Sequence, residues 1–151
     1  MLRDDVVTCI EKLKALYAKQ KKLYDTATAN MVEAKQHVIS GDIESSVECF
    51  LKLDEILGFM EAHRFDVAAI HYELSHILGV KKRQIIPTIA EADKKKADEL
   101  TAAKEASELA LEISKQKLTE AIIQIEESMR DLNVDISEIS ETRKAMEIIN
   151  H

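Results

Sequence analysis

Apolar residues in the first forty positions recur in alternating steps of four and three. The positions on this repeat are Val6, Ile10, Leu13, Tyr17, Gln20, Tyr24, Ala27, Met31, Ala34 and Val38, with Gln20 as a polar member. Because residues three and four apart share one face of a helix, the pattern predicts a helix over residues 3–40. Cys9, Leu16 and Leu23 widen the apolar face, which is typical of a helix with two neighbours in a bundle.

A second helix is predicted over residues 43–78, directly after Gly41 and Asp42. Its apolar repeat comprises Cys49, Leu53, Ile56, Met60, His63, Val67, Ile70, Leu74 and Ile77. Glycine can end a helix in the left-handed conformation, and aspartate can cap the start of the next one. The two helices of about 36 residues, each about 54 Å long, are therefore predicted to form a tight antiparallel hairpin.

A third, longer helix is predicted over residues 88–148, after a connection at residues 79–87. Thr88 and Glu91 have capping-box spacing directly after Pro87. The first apolar positions are small or widely spaced: Ile89, Leu100, Ala103, Ser107, Leu111 and Ser114. The apolar register favours continuity through Asn133, with a bend there as the alternative. Unbroken, about 60 residues would reach roughly 90 Å, beyond the length of the hairpin.

Composition supports an all-α class and a single helical domain, an elongated bundle or coiled coil. The chain has 151 residues, 46% of them hydrophobic, with three glycines and one proline, which leaves few positions for the turns of a sheet. The net charge of −7 argues against a nucleic-acid partner. No apolar run approaches the roughly 20 residues of a membrane span, and the charged start does not fit a secretory signal, so we expect a cytoplasmic protein without membrane insertion.

The sequence predicts no catalytic, cofactor-binding or metal-ligating residues. Glu73 and His76 have the spacing of one di-iron half-site, but no second Glu-x-x-His occurs, so we interpret them as a polar helix face. His63 is interpreted as a bundle-boundary histidine with one nitrogen satisfied, and a pH-sensing or partner-binding role is the alternative. Cys9 and Cys49 lie on apolar faces and are interpreted as small buried thiols.

A dense apolar stripe in the third helix is the predicted partner-binding surface. It comprises Leu118, Ile122, Ile125, Met129, Leu132, Ile136 and Ile139. One interpretation is that the stripe packs on the hairpin or on a second copy in a homodimer. The other is that it binds an amphipathic helix of another protein. Acidic residues on the opposite side argue against attachment to anionic lipid.

The first half of the chain resembles the FlgN-type flagellar export chaperones. The resemblance covers residues 10–80 and lies in the order of "LYAKQKKLYD", the reversal "SGD", the segment "LKLDEIL" with Arg64 downstream, and "ILGV" at the end of the second helix. It implies a non-enzymatic chaperone that binds the C-terminal ends of hook-associated filament proteins, prevents their early assembly and delivers them to the export gate. By position, the family's partner-binding segment corresponds to residues 122–139.

Two main functional hypotheses follow from these patterns, beside a third, a metal-dependent helical-bundle enzyme, which would require stoichiometric iron, manganese or zinc in the purified protein. The first is an export chaperone whose third helix captures a helical end of a filament protein. The alternative is a scaffold that uses the same stripe to form a homo-oligomeric coiled coil without a client.

Overall fold

The computed structural model describes residues 2–132, without the side chains of Met129, Asp131 and Leu132. Four α-helices and one 3₁₀ turn make up these residues, and none of them lies in a β-strand, which confirms the all-α class. The helices are α1 (Asp4–Ile39), α2 (Ile43–Leu78), α3 (Ile85–Ala92) and α4 (Lys94–Leu132), with the 3₁₀ turn at Lys82–Gln84. The predicted bounds of the first two helices are confirmed to within one residue.

The alternating repeat in α1 is the buried face of that helix. All ten predicted positions are buried, including the polar Gln20. In α2, Cys49, Leu53, Met60, His63, Val67 and Leu74 are buried, and the other three positions are half-buried. The spacing of three and four therefore identified the interior faces correctly, because it tracks the 3.6-residue turn of the α-helix.

The turn between α1 and α2 is closed by Gly41 and Asp42. Gly41 has a φ of 85°, and its N–H donates to the Val38 carbonyl at 3.1 Å, while the Asp42 N–H donates to the His37 carbonyl at 2.8 Å. This is the Schellman arrangement of a helix end. The Asp42 carboxylate then accepts from the Ser45 N–H at 3.2 Å and from its hydroxyl at 2.7 Å. These bonds lower the pKa of Asp42 and confirm its predicted role as the cap of α2.

The start of the third helix is not where the sequence predicted it. Thr88 lies inside α3, and the chain leaves the helical conformation at Asp93, which has a φ of −154° and a ψ of 93°. The Asp93 N–H donates to the Ile89 carbonyl at 2.8 Å, while its carboxylate accepts from the Lys96 N–H at 3.2 Å. Asp93 thus ends α3 and caps α4. The predicted helix 88–148 is wrong at its start; its course from residue 133 on, including the bend at Asn133, lies outside the described residues.

Contacts divide the chain into two compact units, where the sequence predicts a single domain. The first unit comprises Met1–Lys22 and Met60–Leu109, and the second comprises Leu23–Phe59 and Ala110–His151. Each of the three long helices contributes residues to both units. No change of composition marks such a boundary, since it falls inside regular helices rather than in a linker.

The first unit has a continuous apolar core from all four helices. Its buried members are Val6, Cys9, Ile10, Leu13, Tyr17, Val67, Leu74, Ile85, Ile89, Ala97 and Leu100. The short helix α3 contributes Ile85 and Ile89, which are 2% and 0% exposed. Burial of these two side chains explains why the residues before Pro87 are helical, since the gain from burying an isoleucine exceeds the local cost of a short helix.

The second unit packs the C-terminal part of α1, the N-terminal part of α2 and the C-terminal part of α4. The inner face of α4 has small side chains at Ala110, Ser114 and Ala121, which let helices approach closely. Leu118, Ile122 and Ile125 are buried in the same unit, 0%, 5% and 3% exposed. The first interpretation of the stripe, that it packs within the bundle, therefore holds for these three residues.

Candidate functional site

The first unit carries an open groove between α1 and α2. It encloses about 450 Å³, and its lining residues are Lys12, Ala15, Leu16, Lys19, Asp66, Ala69 and Ile70. The floor is built from alanine and from the half-buried Leu16 and Ile70. The small side chains of Ala15 and Ala69 leave space between the two helices, so the groove can accept apolar side chains from one face of another helix.

Two aromatic side chains on α2 are exposed about one turn from the groove-lining residue Ala69. Phe65 is 74% exposed and Tyr72 is 77% exposed. They lie four residues before and three residues after Ala69, and this spacing places all three on one face of the helix. Of the six aromatic residues of the chain, Phe65 and Tyr72 are the most exposed, and large apolar side chains exposed close together are typical of a surface that binds a partner.

The charged residues at the groove differ between its two sides. Lys12 and Lys19 are exposed on the α1 side, and Asp66 is exposed on the α2 side. The α1 side is thus basic although the chain as a whole has a net charge of −7. Different charges on the two sides of the groove would select the orientation of a bound helix according to the charges beside the apolar face of that helix.

Three polar side chains at positions of the predicted apolar repeats form hydrogen bonds between helices in the first unit. The Nε2 of His63 donates to the Leu16 carbonyl at 2.7 Å, which confirms the interpretation of a histidine with one nitrogen satisfied. The Ser107 hydroxyl of α4 donates to the Gln20 Oε1 of α1 at 3.1 Å. Because both pairs are at least partly buried, they fix the register of helices whose apolar contacts alone are less directional.

Tyr17 and His71 form a further polar pair in the first unit. Tyr17 Oη and His71 Nε2 lie 3.0 Å apart and share a hydrogen bond. Burial raises the pKa of Tyr17 to about 12 and lowers that of His71 to about 4, with Lys82 and Lys104 adding to the effect on the imidazole. Both groups are therefore neutral near pH 7, which suits a structural hydrogen bond better than proton transfer at that pH.

The second unit brings together three side chains with metal-ligand chemistry. Ligand atoms of Glu33, His37 and Cys49 all lie within 4.8 Å of one another. Glu33 and His37 are one turn apart on α1, and the buried Cys49 comes from α2. The sequence predicted no metal-ligating residues. The Glu-x-x-x-His spacing was a visible signal, but the cysteine joins it only through the pairing of α1 with α2.

The predicted partner-binding stripe is not an open surface over the part that the structure describes. Leu118, Ile122 and Ile125 are core residues, so a partner cannot contact them while the second unit is folded. We correct the prediction for these three. The side chains of Met129 and Leu132, and residues Ile136 and Ile139, lie outside the described part of the chain.

The predicted burial of both cysteines is confirmed. Cys9 and Cys49 are buried free thiols, and burial is the main cause that raises the pKa of each. Cys9 belongs to the first unit and Cys49 to the second. Sequence reasoning missed the groove, because its floor consists of alanines and partly buried residues that do not stand out in an apolar repeat.

Comparison of the chain with protein-family models, curated proteins and solved structures finds no match. None of the helices within residues 2–132 has a stretch long and apolar enough to cross a bilayer.

Proposed function

We propose that the chain is a non-enzymatic protein-binding module that holds an amphipathic helix of a client protein in the groove between α1 and α2. The observation that carries the proposal is an open groove with a largely apolar lining, with the exposed Phe65 and Tyr72 about one turn from its lining residue Ala69 on α2. A fourth helix in this groove would complete a bundle with α1, α2 and α4 of the first unit, and its apolar face would be buried against α1 and α2.

The groove lining supports a helix as occupant. Leu16 and Ile70 supply branched apolar contacts, and Ala15 and Ala69 leave room for side chains of the incoming helix. Phe65 and Tyr72 can close over the α2 side, since aromatic side chains supply large contact areas with few rotatable bonds. The basic α1 side favours a client helix with acidic residues along one edge of its apolar face.

The expected affinity is moderate. Full burial of a large apolar side chain contributes about 1.5–3 kcal/mol, and part of that is lost to ordering of side chains and of the client. A few such contacts give a net binding free energy of about 8 kcal/mol, which corresponds to a micromolar dissociation constant. This strength suits a carrier that must release its client.

The client class rests on the resemblance of residues 10–80 to FlgN-type export chaperones. We propose a cytoplasmic export chaperone that binds the C-terminal helix of a hook-associated filament protein and prevents its early assembly. The alternative of a homo-oligomeric scaffold remains, with a second copy of the chain in the groove instead of a client.

The test is a binding titration with a fluorescent peptide from the C-terminal end of a hook-associated protein of the same organism. Fluorescence anisotropy should report micromolar binding to the full chain. Ala69→Glu places a charged side chain on the groove floor and should weaken binding by at least about tenfold, the equivalent of about 1.4 kcal/mol. Ala102→Glu is the matched control, because Ala102 is exposed in the first unit but lies on α4 and does not line the groove.

The outcomes separate the two functions. No binding of the peptide by the unaltered chain, or equal loss in both variants, contradicts the chaperone proposal. If sedimentation instead shows that Ala69→Glu, but not Ala102→Glu, converts a dimer to monomers, the groove holds a second copy and the scaffold alternative is supported.

A further inference from the structure

A mixed group of carboxylate, imidazole and thiol converges in the second unit, next to the turn between α1 and α2. We propose that Glu33, His37 and Cys49 form a binding site for a divalent transition-metal ion, with Zn²⁺ as the best fit. This site lies in a different unit from the groove and does not depend on the proposed client-binding function.

The distance between the Glu33 and His37 ligand atoms fits tetrahedral coordination. Zinc binds imidazole nitrogen and carboxylate oxygen at about 2.0–2.2 Å, so two such ligands in a tetrahedral site lie about 3.4 Å apart. His37 Nε2 and Glu33 Oε1 are 3.3 Å apart. A thiolate at about 2.3 Å from the metal would lie about 3.6 Å from each of them. The observed spread of at most 4.8 Å among the three ligand atoms requires only small side-chain adjustments to reach this geometry.

The backbone positions of the ligands are fixed by hydrogen bonds in the same unit. The His37 carbonyl accepts from the Asp42 N–H at 2.8 Å and from the Ser40 hydroxyl at 3.0 Å, which ties the residue to the Gly41–Asp42 turn. The buried Asn30 side chain donates to the Cys49 carbonyl and joins α1 to α2 at that level. Ligands held in place before binding pay a smaller ordering cost when the ion arrives.

The chemistry of the three ligands favours zinc over calcium or magnesium. Thiolate and imidazole are ligands that Zn²⁺ prefers, whereas calcium and magnesium prefer oxygen. The thiol proton leaves to solvent when the sulfur–metal bond forms.

The fourth coordination position would face solvent. The Glu33 and His37 side chains are 59% and 29% exposed, while Cys49 is buried. The ion would therefore be held from α1 and α2 on its inner side, with water completing the tetrahedron. Because the ligands come from both helices beside their turn, the bound ion would link α1 to α2 in the second unit.

Titration of the full-length reduced protein with Co²⁺ tests the site directly. Cobalt bound to a thiolate produces a charge-transfer band in the near ultraviolet, and we expect this band to saturate at one equivalent and to disappear when Zn²⁺ is added. Cys49→Ser should abolish the band. Cys9→Ser is the matched control, because it removes the other buried thiol, which lies in the first unit.

His37→Gln and Glu33→Gln test the site without altering a fully buried side chain. Loss of even an outer-shell partner weakens metal binding by about 10–100-fold, so loss of the His37 ligand should weaken Co²⁺ binding by at least about 100-fold. Absence of the band in the unaltered protein, its persistence in Cys49→Ser, or unchanged affinity in His37→Gln would each overturn the proposal.

Discussion

Alanine substitution at two glycines of the second unit should change stability in opposite directions. Gly41 has a φ of 85° at the end of α1, and Gly58 lies inside α2 with ordinary helical geometry. A Cβ atom at either position would meet no heavy atom within 4 Å. Steric clashes therefore do not contribute, and the backbone conformation alone determines the sign of the effect.

The magnitudes follow from the two conformations. The left-handed region costs an alanine roughly 1–2 kcal/mol, so Gly41→Ala should lower the free energy of unfolding by about that amount. In a helix interior, glycine is about 0.5–1 kcal/mol less favourable than alanine, so Gly58→Ala should raise it by about that amount. The two variants should thus differ by about 2 kcal/mol, although each adds only one methyl group.

Urea unfolding followed by far-ultraviolet circular dichroism measures both changes. The midpoint should fall in Gly41→Ala and rise in Gly58→Ala, with similar dependence on urea concentration in both. Gly41→Asn is a useful third variant, since asparagine tolerates the left-handed conformation and should cost less than alanine. Midpoints that shift in the same direction for the two alanine variants would refute the assigned role of Gly41.

Two further predictions concern polar pairs in the first unit. Burial, Lys82 and Lys104 lower the pKa of His71 to about 4, whereas this histidine has its ordinary pKa of 6.5 in the unfolded chain. Between these two pH values the unfolded chain therefore binds more protons than the folded chain. The free energy of unfolding, measured by urea, should therefore decrease as pH falls from 6.5 toward about 4. The decrease should be smaller in His71→Gln than in the unaltered protein; an equal decrease would contradict the assignment. Ser107→Ala leaves the buried Gln20 oxygen without its hydroxyl donor and should lower the free energy of unfolding by about 1–3 kcal/mol in the same assay. Adding Gln20→Leu should recover much of this loss. If the second substitution does not reduce the loss, the assigned hydrogen bond is contradicted.

The interior faces of the long helices could be predicted from sequence because they depend on a local period. The repeat that begins at Val6 is buried along the whole of α1. Gly41 and Asp42 were equally predictable, since each has a strong conformational preference and they are adjacent. Local periodicity and local preference are properties that a single sequence displays without knowledge of the tertiary structure.

The break at Asp93 could not be predicted with the same rules. Thr88 and Asp93 are both good helix caps, and the Glu91 spacing favoured the first of them. The choice was decided by burial of Ile85 and Ile89 in the core of the first unit, which makes the residues around Pro87 helical. That burial depends on tertiary packing, and the sequence pattern does not reveal it.

The candidate sites were hidden for a related reason. Glu33 and His37 share a helix face that the sequence shows, but Cys49 joins them only through the pairing of α1 and α2. The groove is formed in the same way, by Ala15 on one helix and Ala69 on the other. By contrast, the conspicuous stripe at Leu118, Ile122 and Ile125 is core, because a strong apolar pattern indicates burial more often than a binding surface.

The two-residue turn at Gly41 and Asp42 also sets an order in which contacts can form during folding. Asn30 and Cys49 are 19 residues apart in the chain, whereas Tyr17 and His71 are 54 residues apart. The entropy of loop closure makes the longer contact about 0.9 kcal/mol more costly to form first. Pairing of α1 with α2 is therefore favoured to start beside the turn and to extend away from it, so that each new contact closes only a short additional loop.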